Sequence, residues 1–252
     1  MRKILISVLF FTAVLSINAQ KTPVQSILTK HGNLQIQPIT HATFVMTHND
    51  KTFYIDPTGG PSAFAGIAKP DVILITDIHG DHCDPKTIDS IRTSNTMIIA
   101  PKAVAERLTN VEKPMLVILN NGEKAEQGGA IITAIPMYNL PEAEDSRHTK
   151  GRGNGYVVNF GGKNIYVSGD TEDIPEMRQL KDIDVAFVCM NLPYTMDVNQ
   201  AASAVLEFKP KIVYPYHFRG QGGFSDVNAF KKLVNNGNKD IDVRLVNWYP
   251  TP

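Results

Sequence analysis

From residue 72 onward, short apolar runs rich in valine and isoleucine alternate with stretches of helical character, and few architectures accommodate that rhythm. The runs occupy 72–76, 97–100, 115–119, 131–137, 156–160, 164–167, 185–190, 211–216 and 243–248. Helical stretches fall at 85–92, 101–108, 174–180, 198–208 and 226–234. Pro85 and Pro101 suit a first helical turn, where a missing N–H costs nothing. Ahead of this alternation, residues 34–39, 41–46 and 52–55 read as strands of a meander, with Asn49-Asp50 as the hairpin turn between the last two. Helix-linked strands behind such a front predict mixed layers, an α/β (α+β) fold, in one domain. No internal repeat or low-complexity stretch stands out. Residues 139–155, the longest irregular segment, hold His148 among glycines and charged side chains, and loops of that length in compact domains are often functional.

Of the 252 residues, 42% are hydrophobic and 20% charged, which excludes a disordered, collagenous or multi-span membrane chain. Arg2 and Lys3, an apolar run over 4–17 and Ala19 at a suitable cut site predict a secretory signal over residues 1–19. That run is shorter than the roughly 20 residues of a spanning helix. The expected product is an exported, periplasmic domain over 20–252 with no stable membrane anchor. The 25 basic and 25 acidic side chains cancel; without Arg2 and Lys3 the balance is 23 − 25 = −2. No basic run stands out, which argues against a nucleic-acid partner. Cys83 and Cys189 are too few for a disulfide framework.

The chemistry concentrates in Asp77-Ile78-His79-Gly80-Asp81-His82-Cys83-Asp84, directly after the apolar run Val72-Ile73-Leu74-Ile75-Thr76. Two imidazoles and three carboxylates crowd the carboxyl end of a strand, where open sheets place ligands, and both donor types suit zinc or a similar divalent ion. Gly80 is expected to let the chain turn tightly there. Two later strands end in the same manner, one in Ser168-Gly169-Asp170-Thr171 and the other in Tyr214-Pro215-Tyr216-His217. Singly, Asp170 could cap a helix and His217 could be an ordinary half-buried histidine. Three strand ends delivering ligand-type side chains point instead to one shared metal site.

This series resembles the metallo-β-lactamase superfamily, whose signature His-x-His-x-Asp-His follows a strand and precedes later Asp and His ligands. More narrowly, it resembles the L-ascorbate-6-phosphate lactonase-like branch, which opens on segments matched here by His41-Ala42-Thr43 and Ile55-Asp56-Pro57. The resemblance runs over roughly residues 33–235 and implies a four-layer αββα sandwich with a two-ion site at one edge. By the family pattern His79 holds the first ion, Asp81, His82 and His217 hold the second, and Asp170 bridges both. Two positions depart from the pattern. Asp77 stands where the family has its first histidine, and Pro136-Met137-Tyr138-Asn139 lacks the histidine usual after the central strand. His148 is the natural substitute for the latter. Asp77 as a ligand would add a hard oxygen donor, extending the expected metals from zinc to manganese and iron.

His41 either faces the site as an outer group or bonds a backbone carbonyl. Cys83 reads as packing or an outer group, Cys189 as a buried apolar residue, residues 191–196 as a pocket wall, and Lys150 and Arg152 as solvated loop charges. Together these features predict a metal-dependent hydrolase with two divalent ions, in which a metal-bound hydroxide attacks an ester, lactone or phosphodiester of a small, anionic substrate. Asp81 would orient the nucleophile and Asp170 would space the ions. The alternative is a protein of the same fold that binds metal or ligand without turnover; β-lactam cleavage is less favoured.

Overall fold

In the computed structural model, which describes residues 22–250, the hairpin at Asn49-Asp50 forms with both residues at positive φ (48° and 60°), the twist that closes two strands tightly. The leader expected over 1–19 lies outside the described residues. The hairpin belongs to a meander of β1 (Gln25–Thr29), β2 (Gly32–Thr40), β3 (Thr43–His48) and β4 (Lys51–Ile55). Parallel strands β5 (Val72–Leu74), β6 (Met97–Ala100) and β7 (Leu116–Ile118) extend it into a seven-stranded sheet. The second half of the chain repeats this plan. Antiparallel β8 (Lys124–Gln127), β9 (Ala130–Met137), β10 (Gly153–Phe160) and β11 (Lys163–Val167) precede parallel β12 (Val185–Cys189) and β13 (Ile212–Tyr216). After a ribbon of β14 (Arg219–Gly220) and β15 (Gly223–Phe224), β16 (Asp242–Val243) completes a second seven-stranded sheet.

Strand alternation sorts the apolar side chains into layers. Val45, Tyr54, Ile73 and Ile98 share a cluster with Ile88 and Ile91 of α1 (Pro85–Ile91) and Val104 of α2 (Lys102–Ala105). Their strand neighbours Phe44, Phe53, Val72 and Ile99 join the other cluster, which takes in the second sheet. Phe44 stacks on Phe187 at 4.3 Å and Phe53 meets Phe160 edge-on at 4.8 Å. That cluster also holds Met177 of α3 (Pro175–Arg178), Val205 and Phe208 of α4 (Val198–Phe208), and Phe230 and Val234 of α5 (Val227–Gly237). The expected four-layer sandwich is what forms.

The run at 243–248 yields only the two residues of β16, yet it delivers Trp248, fully buried against Phe44, Phe187 and Tyr216. The helix expected over 101–108 contracts to Lys102–Ala105, with Pro101 as its cap.

The halves also share a local device that pattern reading overlooked. Asp71 accepts hydrogen bonds from Lys51 Nζ (2.7 Å) and Thr52 N (2.9 Å). Asp184 does the same with Lys163 Nζ (3.0 Å) and Asn164 N (3.0 Å). The strands so clipped pair in one register, Tyr54 opposite Ile73 and Tyr166 opposite Ala186. The chain therefore contains a structural repeat, confined in sequence to Lys-x-x-Tyr and a later Asp-Val.

Burial pushes the Asp184 carboxyl up, but Lys211, the Asn164 N–H and Lys163 bring it below its ordinary 3.8. A carboxyl lowered by folding stabilises the protein above its unfolded pKa, and the benefit fades as pH falls through the folded value. Asp184→Asn is expected to lower unfolding free energy by about 2 kcal/mol at neutral pH. Urea titrations should show the gap to the natural chain closing below the ordinary carboxylate range.

Candidate metal centre

The ligand-type residues all sit at one edge of the sandwich, beyond the ends of β5, β11 and β13. In the loop after β5, the N–H groups of His82 and Cys83 both donate to His79 O (3.0 and 2.8 Å). Asp84 closes that loop by capping α1 through Lys86 N and Thr87 N. Gly80, expected to permit the turn, has neither a positive φ nor a neighbour that a Cβ would meet. The glycine the site requires is Gly169, with φ +62° and Met137 Sδ only 2.6 Å from a built Cβ. Three non-glycine residues at this edge also hold left-handed backbone: His41 (54°), Asp56 (44°) and His217 (46°). Such strain persists where surrounding structure enforces it, commonly at functional sites.

Two ligand atoms about 2.1 Å from a tetrahedral centre stand about 3.4 Å apart. The donor atoms around Asp170 come close to that spacing. Asp170 Oδ2 is 3.2 Å from His148 Nε2 and 3.3 Å from His82 Nε2, and Asp170 Oδ1 is 3.1 Å from His217 Nε2. His82 Nε2 and His217 Nε2 lie 3.1 Å apart. Asp77 Oδ2 is 2.5 Å from His79 Nδ1 and 3.9 Å from His148 Nε2. Asp77, His79 and His148 form one convergent group, His82, Asp170 and His217 a second, and Asp170 touches both. Asp81 stands beside the second group, Oδ2 3.5 Å from His217 Nε2. His79 Nδ1, His148 Nε2 and Asp170 Oδ1 are buried without a hydrogen-bond partner among the described residues, despite these short approaches. Atoms that converge on a common point without hydrogen bonding one another fit divalent cations. The structure thus brings together Asp77, His79, Asp81, His82, His148, Asp170 and His217, and Asp170 points at imidazoles rather than capping a helix.

The supporting groups were largely hidden in the sequence. Asp56, fully buried, accepts from Thr76 N (2.7 Å) and Thr76 Oγ1 (2.6 Å) and from His82 Nδ1 (2.8 Å). That bond fixes the ring so that Nε2 of His82 faces inward. Asn139 Oδ1 accepts from His148 N (2.9 Å) and Nδ1 (3.0 Å), while its Nδ2 donates to Tyr194 O (2.9 Å) and Glu172 Oε1 (3.1 Å). The segment that lacks the expected histidine therefore supplies the residue that orients its replacement. Removing this acceptor by Asn139→Ala is expected to weaken metal binding about 10–100-fold, measured by calorimetric titration of the apoprotein.

Arg152 is not a solvated loop charge: Nε (3.3 Å) and Nη2 (3.2 Å) grip Asp77 Oδ1. Lys150, by contrast, bonds Glu142 and Glu176. His41 is an outer group, Nε2 3.2 Å from Asp81 Oδ2 and Nδ1 2.8 Å from Tyr249 Oη. Asn191, on the expected wall, brings Nδ2 within 3.4 Å of His217 Nε2. Cys83 packs in the outer core, and Cys189 is fully buried. Asp56 had a visible signal, an acid directly after an apolar strand; Asn139 and Tyr249 had none.

Burial opposes the charge on Asp170, but His217 and His82 hold its carboxyl well below the ordinary range. Burial likewise works against His82, yet Asp170 and Asp56 on its two sides raise it well above the usual histidine value. At His217 burial prevails and lowers the imidazole, favouring the neutral form that carries a free lone pair. Asp77 is held at about 2, against burial, by His79, His82 and Arg152.

This is the architecture of a metal-binding edge on a two-sheet sandwich, and comparison with known proteins places it. The model of the beta-lactamase superfamily domain matches residues 35–217. A UPF0173 metal-dependent hydrolase of Pyrococcus abyssi is 32% identical over 222 residues, covering 82% of this chain and 95% of that relative. A crystal structure from Parabacteroides distasonis, named for metal-dependent hydrolysis, is 38% identical with a TM-score of 0.76, covering 89% of this chain and 98% of that one. The metallo hydrolase Igni18 of Ignicoccus hospitalis shares the fold, with a TM-score of 0.70 at 23% identity over 84% of this chain and 94% of that one. The chain belongs to the beta-lactamase superfamily, among its metal-dependent hydrolases.

Proposed function

We propose that this protein hydrolyses a small ester, lactone or phosphodiester with two divalent ions, zinc or manganese and also iron, held by Asp77, His79 and His148 on one side and Asp81, His82 and His217 on the other. The observation that carries this reading is the single carboxylate of Asp170, in reach of His148, His82 and His217 at once. Ions bound there would bring coordinated water close to neutral pKa and polarise the oxygen that gathers negative charge. Asp170 would fix the separation of the two positions. Asp81, 40% exposed at the opening, has its carboxyl held, against burial, well below the ordinary range by His41, His82 and His217, and would accept the hydrogen bond that orients an incoming nucleophile. Asp56 and Asn139 keep the His82 and His148 rings from rotating, so the site is assembled before substrate arrives.

The bond type rests on the resemblance to the lactonase-like branch, and an anionic substrate suits the cationic ions. Export to a periplasm, with residues 1–19 removed, is part of the same reading.

The test is hydrolysis of a panel of chromogenic esters, lactones and phosphodiesters, with nitrocefin for β-lactams, by metal-stripped and reconstituted protein. Turnover that vanishes on stripping and returns with added ions supports the proposal. Undiminished turnover without metal overturns it, and tight ion binding with no turnover on any substrate favours the non-catalytic binder.

A further inference from the structure

His41, Asp81 and His217 bring three ligand-type atoms within 4.8 Å of one another, and by spacing alone they form another candidate metal group. The hydrogen bonds around Tyr249 argue for a different role. Tyr249 Oη accepts the N–H of Arg219 at 3.0 Å. A carboxylate only accepts, so the hydrogen between His41 Nε2 and Asp81 Oδ2 must sit on the ring nitrogen. The Nδ1 of the neutral ring then keeps its lone pair, and the Tyr249 hydroxyl 2.8 Å away donates to it. An Nδ1 that accepts leaves the proton of the neutral ring on Nε2, where it faces Asp81 Oδ2 at 3.2 Å. An Nε2 that bears hydrogen has no lone pair for a metal.

The backbone enforces this arrangement. His41 N donates to Trp248 O (3.2 Å), and His41 O accepts from His217 N (3.3 Å). Buried Trp248 anchors the segment that carries Tyr249, and the rings of Phe218 and Phe224 flank Tyr249 at 5.0 and 4.9 Å.

We propose that Tyr249 and His41 are positioning residues: the phenol supports the Nε2–H tautomer of His41, and that Nε2–H holds Asp81 Oδ2, so that Oδ1, 4.0 Å from His82 Nε2, is left for the second ion. His41 is accordingly not a metal ligand. This role rests on the reading of Asp81 as a ligand, and the experiment separates the two.

Apoprotein of the natural chain and of Tyr249→Phe, His41→Gln and His41→Ala is titrated with Mn²⁺ or Zn²⁺ by calorimetry, and ¹⁵N-histidine spectra record which His41 nitrogen bears the proton. The natural chain is expected to show Nε2–H. Tyr249→Phe should mix the tautomers and weaken the second ion about 10-fold, as loss of an outer hydrogen bond does. His41→Ala should weaken it by about 10–100-fold yet saturate at the same number of ions. His41→Gln, whose amide N–H still reaches Asp81, should restore most of that affinity. The proposal is overturned if His41→Ala saturates with one ion fewer, if the natural ring is protonated at Nδ1, or if Tyr249→Phe and His41→Ala bind like the natural chain. A natural chain that takes up no ion refutes the hydrolase reading itself.

Discussion

Asp170→Ala is expected to reduce hydrolysis by at least about a thousandfold and to strip the protein of tightly held metal. Among the described residues, this carboxylate is the one group that reaches His148, His82 and His217 together, at 3.2, 3.3 and 3.1 Å. Without it, three buried imidazoles face each other with no anion between them, and cations entering the site meet less negative charge. Losing even an outer partner of a metal ligand commonly weakens binding 10–100-fold, and loss of one transition-state contact slows turnover about 10²–10³-fold. A group shared by both positions should exceed either figure. Ion content after dialysis and turnover on whichever substrate the panel identifies provide the measurements. The fold should survive, because Asp170 lies outside the strands and its neighbours Ser168 and Thr171 keep their own hydrogen bonds. An Asp170→Ala protein that retains its ions would show that the two clusters act independently.

Asp77→His, which restores the histidine of the family pattern, is expected to harm this protein. Asp77 is fully buried and its carboxylate is gripped by the Arg152 guanidinium, whose side chain is only 20% exposed. An imidazole at position 77 would leave that guanidinium without its anion and close to His79 and His148. Removing one partner of a buried ion pair costs about 3–5 kcal/mol; the partial exposure of Arg152 reduces the expected loss to about 2–3 kcal/mol. Metal affinity should fall at least about tenfold, since an unpaired cation then stands where one anion had been. Adding Arg152→Ala should recover much of both losses, and a double-mutant cycle on urea unfolding and ion titration reads the coupling. If Asp77→His alone bound metal more tightly, Arg152 would be a bystander.

The role of Arg152 shows where sequence reasoning stops. Between glycines in an irregular segment, it has the composition of a solvated charge. Only the path of residues 138–152 over the edge of the sandwich carries its guanidinium to Asp77 and the ring of His148 to Asp170. The same holds for Asn139 and Tyr249, whose partners lie 9 and 208 residues away. No local periodicity encodes such pairings, because loop paths are set by what both ends are packed against.

By itself the sequence determined the alternating strands and helices, the layering they require, and the ligand-type residues at three strand ends. These are local properties: side-chain period, turn chemistry and donor type are all written within a few neighbouring residues. The repeat of the two halves, the substitution of His148 for a missing histidine, the pairing of Asp77 with Arg152 and the Tyr249–His41–Asp81 chain were decided only in the tertiary structure. Each depends on two sheets meeting face to face and bringing their edges to one place, a contact between segments far apart along the chain.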